Sequence, residues 1–280
     1  MNAPAHASPA ITTTGGVAIP QIGFGLFKVA PDEARRVVED ALDVGYRHLD
    51  TASVYGNEAA TGAALATSGL ARDEVFVTTK LWIRDLGRDG ALPAFDRSLD
   101  ALGLDHVDLY LVHWPAPPLG RYIETWDVMT EIAESGRARA VGVSNFLPEH
   151  LDALDDHGLP RPAVNQIEVH PENQERHLRA LCADRGIVVQ AYSPLARGAL
   201  VEHPALTPIA DAHDVTVPQV VLRWHVQQGH VVLPKTVSRD RMAANLDVLG
   251  FTLTPSEMAA VDDLDRAARI GADPRTFTGA

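Results

Sequence analysis

The sequence predicts an α/β fold, a single (β/α)8 TIM barrel with an N-terminal β-hairpin and additional helices. First, about eight short apolar runs alternate with helical segments along the chain. Second, these runs are continuously apolar, which is typical of parallel strands buried on both faces. Third, a chain of 280 residues with 46% apolar and 22% charged residues can bury one large core.

The elements follow from this alternation in chain order. Residues 11–20 alternate around a Gly-Gly pair, which predicts a hairpin that plugs one end of the barrel. We assign residues 1–280 to one domain and expect residues 1–10 to be flexible. The barrel strands are predicted at residues 23–26, 47–50, 75–79, 107–112, 140–143, 163–167, 187–191 and 231–233. The helices are predicted at residues 32–44, with Asp32 as the cap, and at 57–68, 92–102, 123–135, 148–156, 174–184, 218–227, 239–249 and 255–265.

An open, doubly wound sheet is the alternative fold. Such a sheet commonly carries a three-glycine dinucleotide fingerprint after its first strand. Residues 23–28 contain two glycines but lack the third, and no other glycine cluster supplies it. The sequence therefore favours the closed barrel.

Composition narrows the classes of function. A net charge of −13 argues against broad binding to nucleic acid, which needs a basic face. No apolar run approaches the roughly 18 residues of a membrane span, and the first ten residues do not resemble a signal peptide. The lone Cys182 excludes a disulfide framework, and the histidines show no ligand spacing, so we expect a cytoplasmic protein without a metal.

Polar side chains stand at the carboxyl ends of seven successive predicted strands. In barrels of this kind the active site forms at that end of the sheet. We therefore expect one site there, built from Asp50, Lys80, His113, Asn145, Gln166, Tyr192 and Lys235.

Tyr55 follows closely after Asp50 and is the candidate acid. A free tyrosine has a pKa of about 10 and needs a nearby cation to release its proton near neutrality. Lys80 would lower that pKa, Asp50 would hold Lys80, and His113 would polarise a substrate oxygen. Each residue also has a structural interpretation: Asp50 and Lys80 as an ion pair, and Tyr55 and His113 as packing or hydrogen-bonding residues.

Aromatic and amide side chains extend this site. Phe27, Trp82 and Trp114 lie just beyond three strand ends and would wall an apolar pocket, although core packing is a common fate of tryptophan. Tyr192 could lie against a flat heterocycle, while Asn145 and Gln166 could bind an amide. Nicotinamide has both features.

The segment 234–241 gathers positive charge where the last predicted strand leads into a helix. It carries Lys235, Arg239 and Arg241 beside the hydroxyls of Thr236 and Ser238. Cations at a helix amino terminus are suited to phosphate, and late barrel loops commonly hold phosphate. A solvated helix start is the alternative.

With these segments in place, the sequence closely resembles the aldo-keto reductases, particularly the compact bacterial enzymes of the 2,5-diketo-D-gluconic acid reductase type. The resemblance covers about residues 11–277. It is carried by residues 45–58, 79–82, 108–115, 141–146, 165–171, 191–195 and 234–236.

The resemblance implies reduction of aldehydes or ketones, such as sugar-derived, aromatic or α-dicarbonyl compounds, by a monomer that binds NADPH. It implies Tyr55 as the proton donor, completed by Asp50, Lys80 and His113, with Phe27, Trp82 and Trp114 in contact with the substrate. The implied cofactor contacts are Ser144, Asn145 and Gln166 with the carboxamide, Tyr192 with the nicotinamide ring, Ser193, Leu195 and Gly198 with the pyrophosphate, and Lys235, Thr236, Arg241 and Asn245 with the 2′-phosphate end.

Two departures from the family pattern concern the cofactor. Many relatives carry Glu where this chain has Ala244, and Asp240 adds a negative charge between two arginines. We therefore expect NADPH to be preferred over NADH, with NADH as a weaker substitute.

Two other functions remain as alternatives. The first is a barrel that binds NADPH, senses redox state and regulates a partner with little turnover. The second is a barrel aldolase that uses Lys80 to form a Schiff base. The complete set of Tyr55, Lys80, Asp50 and His113 favours the reductase over the regulator, and the charge of Asp50 next to Lys80 disfavours the aldolase.

Overall fold

The fold is an eight-stranded parallel sheet surrounded by helices, preceded by a two-stranded hairpin, in a computed structural model that describes residues 8–279. The strands are β1 (Ala10–Thr12), β2 (Ala18–Pro20), β3 (Phe24–Gly25), β4 (His48–Asp50), β5 (Phe76–Leu81), β6 (Val107–Val112), β7 (Ala138–Ser144), β8 (Val164–Glu168), β9 (Val188–Tyr192) and β10 (Val231–Leu233). The helices are α1 (Pro31–Val44), α2 (Glu58–Thr67), α3 (Arg88–Leu102), α4 (Tyr122–Glu134), α5 (Pro148–Asp156), α6 (Arg176–Asp184), α7 (Thr207–Ala212), α8 (Val217–Gln227), α9 (Arg239–Leu246) and α10 (Pro255–Asp262).

The sheet closes on itself between β3 and β10. The strands follow one another in chain order from β3 to β10, and Ile22 pairs in parallel with Val232 across the seam. Gly25 N–H donates to the Pro234 carbonyl at 3.0 Å, which continues the seam. A Cβ atom on Gly25 would lie 3.3 Å from the Leu233 carbonyl oxygen, so this glycine allows the first and last strands to approach. The predicted closed barrel is confirmed.

The hairpin covers the amino-terminal end of the barrel. Val17 and Ile19 are buried against apolar side chains that point into the barrel. Several of these begin their strands, among them Phe76, Val164, Val188 and Val231. The hairpin therefore fills one end of the barrel, as predicted, and that end lies opposite the carboxyl ends of the strands.

The expectation that residues 1–10 are flexible stays a prediction. Residues 1–7 lie outside the described residues. Ser8 Oγ accepts a hydrogen bond from Ile22 N–H at 2.9 Å, and the Pro9 carbonyl accepts one from Gln21 N–H at 2.7 Å. These contacts tie Ser8 and Pro9 to the segment that enters the barrel.

Two helix predictions need correction. Helix α1 begins at Pro31 after Ala30, and Asp32 lies inside the first turn rather than at the cap. Proline suits that first position because the N–H it lacks would have no partner there, and Asp32 faces the positive end of the helix dipole. Helix α7 was not predicted, because six residues are too few to show an apolar periodicity. None of the described helices has the length and apolar content of a membrane span.

Candidate active site

A buried ion pair lies at the centre of the candidate site. Lys80 Nζ is 2.6 Å from Asp50 Oδ1 and 2.7 Å from the Thr51 carbonyl oxygen, and Lys80 is fully buried. The second carboxylate oxygen, Oδ2 of Asp50, accepts from Gln166 Nε2 at 2.7 Å. Burial lowers the pKa of Lys80, and the charge of Asp50 opposes that shift. Strands β4, β5 and β8 thus contribute one connected polar group.

Tyr55 lies beside this pair on a short 3₁₀ turn, Ser53–Tyr55, that follows β4. Lys80 Nζ lies 3.5 Å from the Tyr55 hydroxyl and 5.1 Å from the centre of its ring. Ser53 Oγ donates to the Lys80 carbonyl at 3.0 Å, which fixes the turn against β5. Gly56 ends the turn with φ 69°, a conformation that favours glycine.

The pKa of Tyr55 moves in the direction opposite to our expectation. Burial raises the pKa of Tyr55 well above 10, and the negative charge of Asp50 adds to this shift. The net direction is upward because burial outweighs any effect of the Lys80 charge, which the Asp50 carboxylate, 2.6 Å from Lys80 Nζ, also offsets. At neutral pH the Tyr55 hydroxyl therefore keeps its proton.

His113 follows β6 and faces Tyr55, with their ring centres 5.6 Å apart. Burial, together with the charge of Lys80, lowers the pKa of His113 well below 6.5. Its ring is therefore neutral at pH 7 and has one N–H donor. Its Nδ1 atom is buried and has no hydrogen-bond partner among residues 8–279. A neutral imidazole next to a protonated phenol can present two donors to one carbonyl oxygen.

Aromatic rings surround the Tyr55 and His113 side chains. Phe27 lies 5.3 Å from Tyr55 between ring centres, and Trp82 lies 5.1 Å from His113. The ring of Trp114 packs at 4.5 Å against Phe277 of the C-terminal segment. The structure thus brings the three predicted pocket residues together and adds Phe277, which the sequence did not single out because it lies far from any strand.

The predicted carboxamide ligands lie in contact with one another. Asn145 follows β7 with φ 63°, its Nδ2 donates to the His113 carbonyl at 3.0 Å, and its Oδ1 accepts from the Tyr192 hydroxyl at 2.8 Å. Ser144 Oγ donates to the Gln166 carbonyl at 2.8 Å. These contacts link β7, β8 and β9 at the same end of the barrel as the ion pair. Gln190, whose Oε1 accepts from Gln166 Nε2 at 2.9 Å, was not predicted.

The loop after β9 lies next to the segment after β10, because Tyr192 pairs with Leu233 in the sheet. Ser193 and Gly198 have φ values of 49° and 100°, so the loop between them turns sharply. Leu195, the third predicted pyrophosphate contact, lies half-buried between them. Backbone N–H groups in such turns form concave surfaces that bind anions.

The cations of the basic segment, residues 234–241, differ in their partners. Arg239 NH1 lies 3.0 Å from Asp40 Oδ1 and is therefore held on α1. Arg241 instead donates from Nε to Thr236 Oγ1 at 3.1 Å, and Lys235 is exposed. Within residues 8–279, neither Lys235 nor Arg241 has a carboxylate partner within 4.0 Å.

Lys235 and Arg241, which meet no carboxylate in the described part of the chain, lie beside the start of α9 and fit the phosphate of a dinucleotide. Asn245, also predicted to contact this end, is buried on α9. A cavity of about 570 Å³ lies elsewhere, between the hairpin and α6, and no predicted site residue lines it. No cluster of three metal-ligating side chains occurs within the described part of the chain.

Comparison with known proteins decides the family. The model of the Aldo/keto reductase family matches residues 21–266. The chain belongs to the aldo/keto reductase family. Its relatives include an aldo-keto reductase of Mycolicibacterium vanbaalenii, 48% identical over 275 residues that cover 98% of this chain and 99% of the relative.

Solved structures share the fold closely. A Gox0644 mutant in complex with NADPH is 42% identical, with a TM-score of 0.92 over 96% of this chain and 98% of that one. The Bombyx mori aldo-keto reductase in complex with NADP is 37% identical, with a TM-score of 0.89 over 96% of each chain. Membership in this family confirms the resemblance, whereas the 2,5-diketo-D-gluconic acid reductase subtype stays a prediction.

Proposed function

We propose that this aldo/keto reductase uses NADPH to reduce aldehydes and ketones to alcohols, with Tyr55 as the proton donor. The observation that carries the proposal is the line of contacts from Asp50 to Lys80 at 2.6 Å and from Lys80 to the Tyr55 hydroxyl at 3.5 Å. The structural neighbour in complex with NADPH supports the cofactor. When bound, the reduced nicotinamide supplies a hydride to the carbonyl carbon.

Tyr55 and His113 act on the carbonyl oxygen. As negative charge develops there, the neutral His113 ring donates a hydrogen bond and Tyr55 gives up its proton. The raised pKa of Tyr55 is compatible with this role because an alkoxide is a far stronger base than a phenolate. Once the proton has left, the Lys80 ammonium group stabilises the phenolate, and Asp50 keeps that ammonium group in place.

The proposed cofactor contacts lie at the same end of the barrel as Tyr55, the carboxyl ends of the strands. Ser144, Asn145 and Gln166 would hold the carboxamide, and the Tyr192 ring would lie against the nicotinamide. Ser193, Leu195 and Gly198 would follow the pyrophosphate, and Lys235, Thr236, Arg241 and Asn245 would hold the 2′-phosphate end. Lys235 and Arg241 support this direction of binding because neither has a carboxylate partner among residues 8–279.

The pocket favours carbonyl compounds with an apolar or flat part. Phe27, Trp82 and Trp114 would exclude water from the reacting carbonyl, which strengthens its hydrogen bonds. Aromatic aldehydes, α-dicarbonyls and sugar-derived carbonyls are the classes we propose. We further propose a single-domain monomer in the cytoplasm, where the one cysteine, buried Cys182, stays reduced.

Replacing Tyr55 by Phe tests the proposal. The substitution removes the transferable proton but keeps the ring, so kcat for 4-nitrobenzaldehyde should fall about 1,000-fold, within the range of general acid catalysis. The Kd for NADPH, followed by quenching of tryptophan fluorescence, should change less than about twofold because the hydroxyl does not bind the cofactor tightly. A variant that keeps the full rate would remove Tyr55 from this role. A wild-type protein that binds NADPH but reduces no aldehyde would favour the redox-sensing regulator.

A further inference from the structure

Glu168, the last residue of β8, is a buried acid that the proposed reaction does not use. It is fully buried, and it pairs in the sheet with Tyr192 at the rim of the barrel. Alternate residues of a strand face the same side, so Glu168 lies on the side of Gln166. A buried carboxylate at this rim needs hydrogen-bond donors.

Those donors come from the C-terminal segment, residues 266–279, which crosses the rim. Ile270 N–H donates to Oε1 of Glu168 at 2.6 Å, and Gly271 N–H donates to Oε2 at 2.7 Å. His170 Nε2 adds a contact of 3.2 Å to Oε1. Burial alone would raise the pKa of Glu168, but these hydrogen bonds and Arg269 hold it below its usual range. The carboxylate therefore binds two consecutive backbone N–H groups of the segment.

The close approach extends to Tyr192. A Cβ atom on Gly271 would lie 2.7 Å from Glu168 Oε2 and 3.3 Å from the Tyr192 hydroxyl. A side chain at this position would displace either the Glu168 carboxylate or the segment. The hydroxyl of Tyr192 in turn donates to Asn145, so the segment contacts a group that borders the proposed nicotinamide site.

Six residues further on, the same segment forms a wall of the pocket. Phe277 packs against Trp114 at 4.5 Å and against Trp82 at 6.2 Å between ring centres. Upstream of Glu168's contacts, the segment is held by backbone bonds from Arg266 and Ala268 to the Glu172 carbonyl. Between Gly271 and Phe277 the segment also buries Pro274 and forms an exposed ion pair from Arg275 to Glu149. Within residues 8–279, the bonds to Glu168 are the last hydrogen bonds from the segment to a buried side chain of the barrel before Phe277.

We propose that Glu168 is a latch that positions the C-terminal segment, so that Phe277 closes the pocket around large carbonyl substrates. Glu168 is then a positioning residue that sets substrate size, without touching the substrate. The proposal rests on the proposed reductase function for its kinetic consequence, whereas the latch itself is independent of turnover.

Glu168→Gln tests the latch with little change in volume. The amide has one acceptor oxygen, and its NH₂ group faces the second backbone N–H, so one of the two bonds is lost. 2-Naphthaldehyde is large enough to reach Phe277, and its KM should rise about tenfold. A change of about tenfold corresponds to the free energy of one hydrogen bond to a charged group. The KM values for propanal and for NADPH should stay within about twofold.

Two controls separate the latch from a general loss of structure. Arg266→Gln breaks the ion pair that the exposed Arg266, in the same segment, forms with Glu172, so it should leave all three KM values within about twofold. In the Phe277→Ala background, Glu168→Gln should have no further effect on 2-naphthaldehyde, because the latch acts through Phe277. Equal losses on both aldehydes, together with a lower Tm, would indicate a structural role and overturn the proposal.

Hydrogen exchange gives a readout that needs no turnover. In the protein without cofactor, the amides of Ile270 and Gly271 should exchange at least about tenfold faster in Glu168→Gln than in the wild type. Unchanged exchange would reject the latch even if the KM values moved. Failure of the wild type to reduce either aldehyde would reject the reductase function, and the exchange rates would still decide the latch.

Discussion

The Lys80 ammonium group lies 2.6 Å from the Asp50 carboxylate and 3.5 Å from the Tyr55 hydroxyl. The nearer Asp50 carboxylate therefore neutralises most of the Lys80 charge. In the resting site the pair Asp50–Lys80 is close to neutral, and burial keeps Tyr55 protonated. The arrangement therefore holds a proton for transfer rather than a preformed phenolate. The Lys80 ammonium group stabilises Tyr55 more strongly as Tyr55 loses its proton and becomes a phenolate during the reaction.

Breaking this pair should destabilise the protein strongly. Asp50→Ala leaves Lys80 fully buried without its hydrogen-bonded carboxylate, so the free energy of unfolding should fall by about 3–5 kcal/mol. Arg35→Ala, which breaks an exposed helical pair with Glu39, should cost less than about 1 kcal/mol. Urea denaturation followed by circular dichroism measures both. Similar small losses for the two variants would contradict the view that Lys80 depends on Asp50 for its charge.

The phosphate site should discriminate between the two nicotinamide cofactors. Lys235→Ala and Arg241→Ala each remove a cation proposed to contact the 2′-phosphate, so the KM for NADPH should rise about tenfold to 100-fold. The KM for NADH should change less than about threefold because NADH lacks that phosphate. Steady-state kinetics with both cofactors gives the comparison.

Arg239 provides the matched control for this site. It lies on the same turn but is bound to Asp40 and Asp43, so Arg239→Ala should leave the ratio of the two KM values nearly unchanged. If Arg239→Ala weakened NADPH as much as Arg241→Ala, the separation of the basic segment into two parts would be wrong.

The hydroxyl and the ring of Tyr192 should have separate effects. Tyr192→Phe leaves the buried Oδ1 of Asn145 without its donor at 2.8 Å, so the free energy of unfolding should fall by about 1–2 kcal/mol. The ring remains, and the Kd for NADPH should change less than about threefold. Tyr192→Ala removes the ring as well and should raise that Kd about tenfold. Equal Kd values for NADPH in Tyr192→Phe and Tyr192→Ala would show that the ring does not contact the nicotinamide as proposed.

His230 should make the protein sensitive to acid. Burial and the charge of Arg179 lower the pKa of His230 to about 3. Below about pH 6.5 the unfolded chain binds a proton at this imidazole while the folded protein does not, so stability falls as pH falls. The loss approaches about 1.4 kcal/mol for each pH unit between roughly 6 and 3.5.

The variant His230→Gln isolates this contribution. Its free energy of unfolding should fall less steeply than that of the wild type between pH 6 and pH 4.5. At pH 8 the imidazole is neutral in both states, so the two proteins should differ there only by a constant offset. Parallel curves over the whole range would show that His230 is protonated to the same extent when folded and unfolded.

Much of the fold and the candidate site was predictable from local sequence. Continuous apolar strands followed by polar residues indicated a closed barrel with one active end, because a parallel sheet brings the carboxyl ends of its strands together. Asp50, Lys80 and Tyr55 could be placed there since each lies within a few residues of a strand end. In the structure Lys80 Nζ lies between the other two side chains, as expected, 2.6 Å from Asp50 Oδ1 and 3.5 Å from the Tyr55 hydroxyl.

Contacts between distant segments were decided only by the tertiary structure. The residues Phe277 and Glu168 belong to parts of the chain that no periodicity connects, yet the C-terminal segment joins them at the barrel rim. The direction of the Tyr55 pKa likewise depends on which charge lies nearer to Lys80 and on how much water reaches the site. Sequence determines the order of the elements and the residues at their ends, whereas distances and burial arise from packing, and electrostatic energies depend on both.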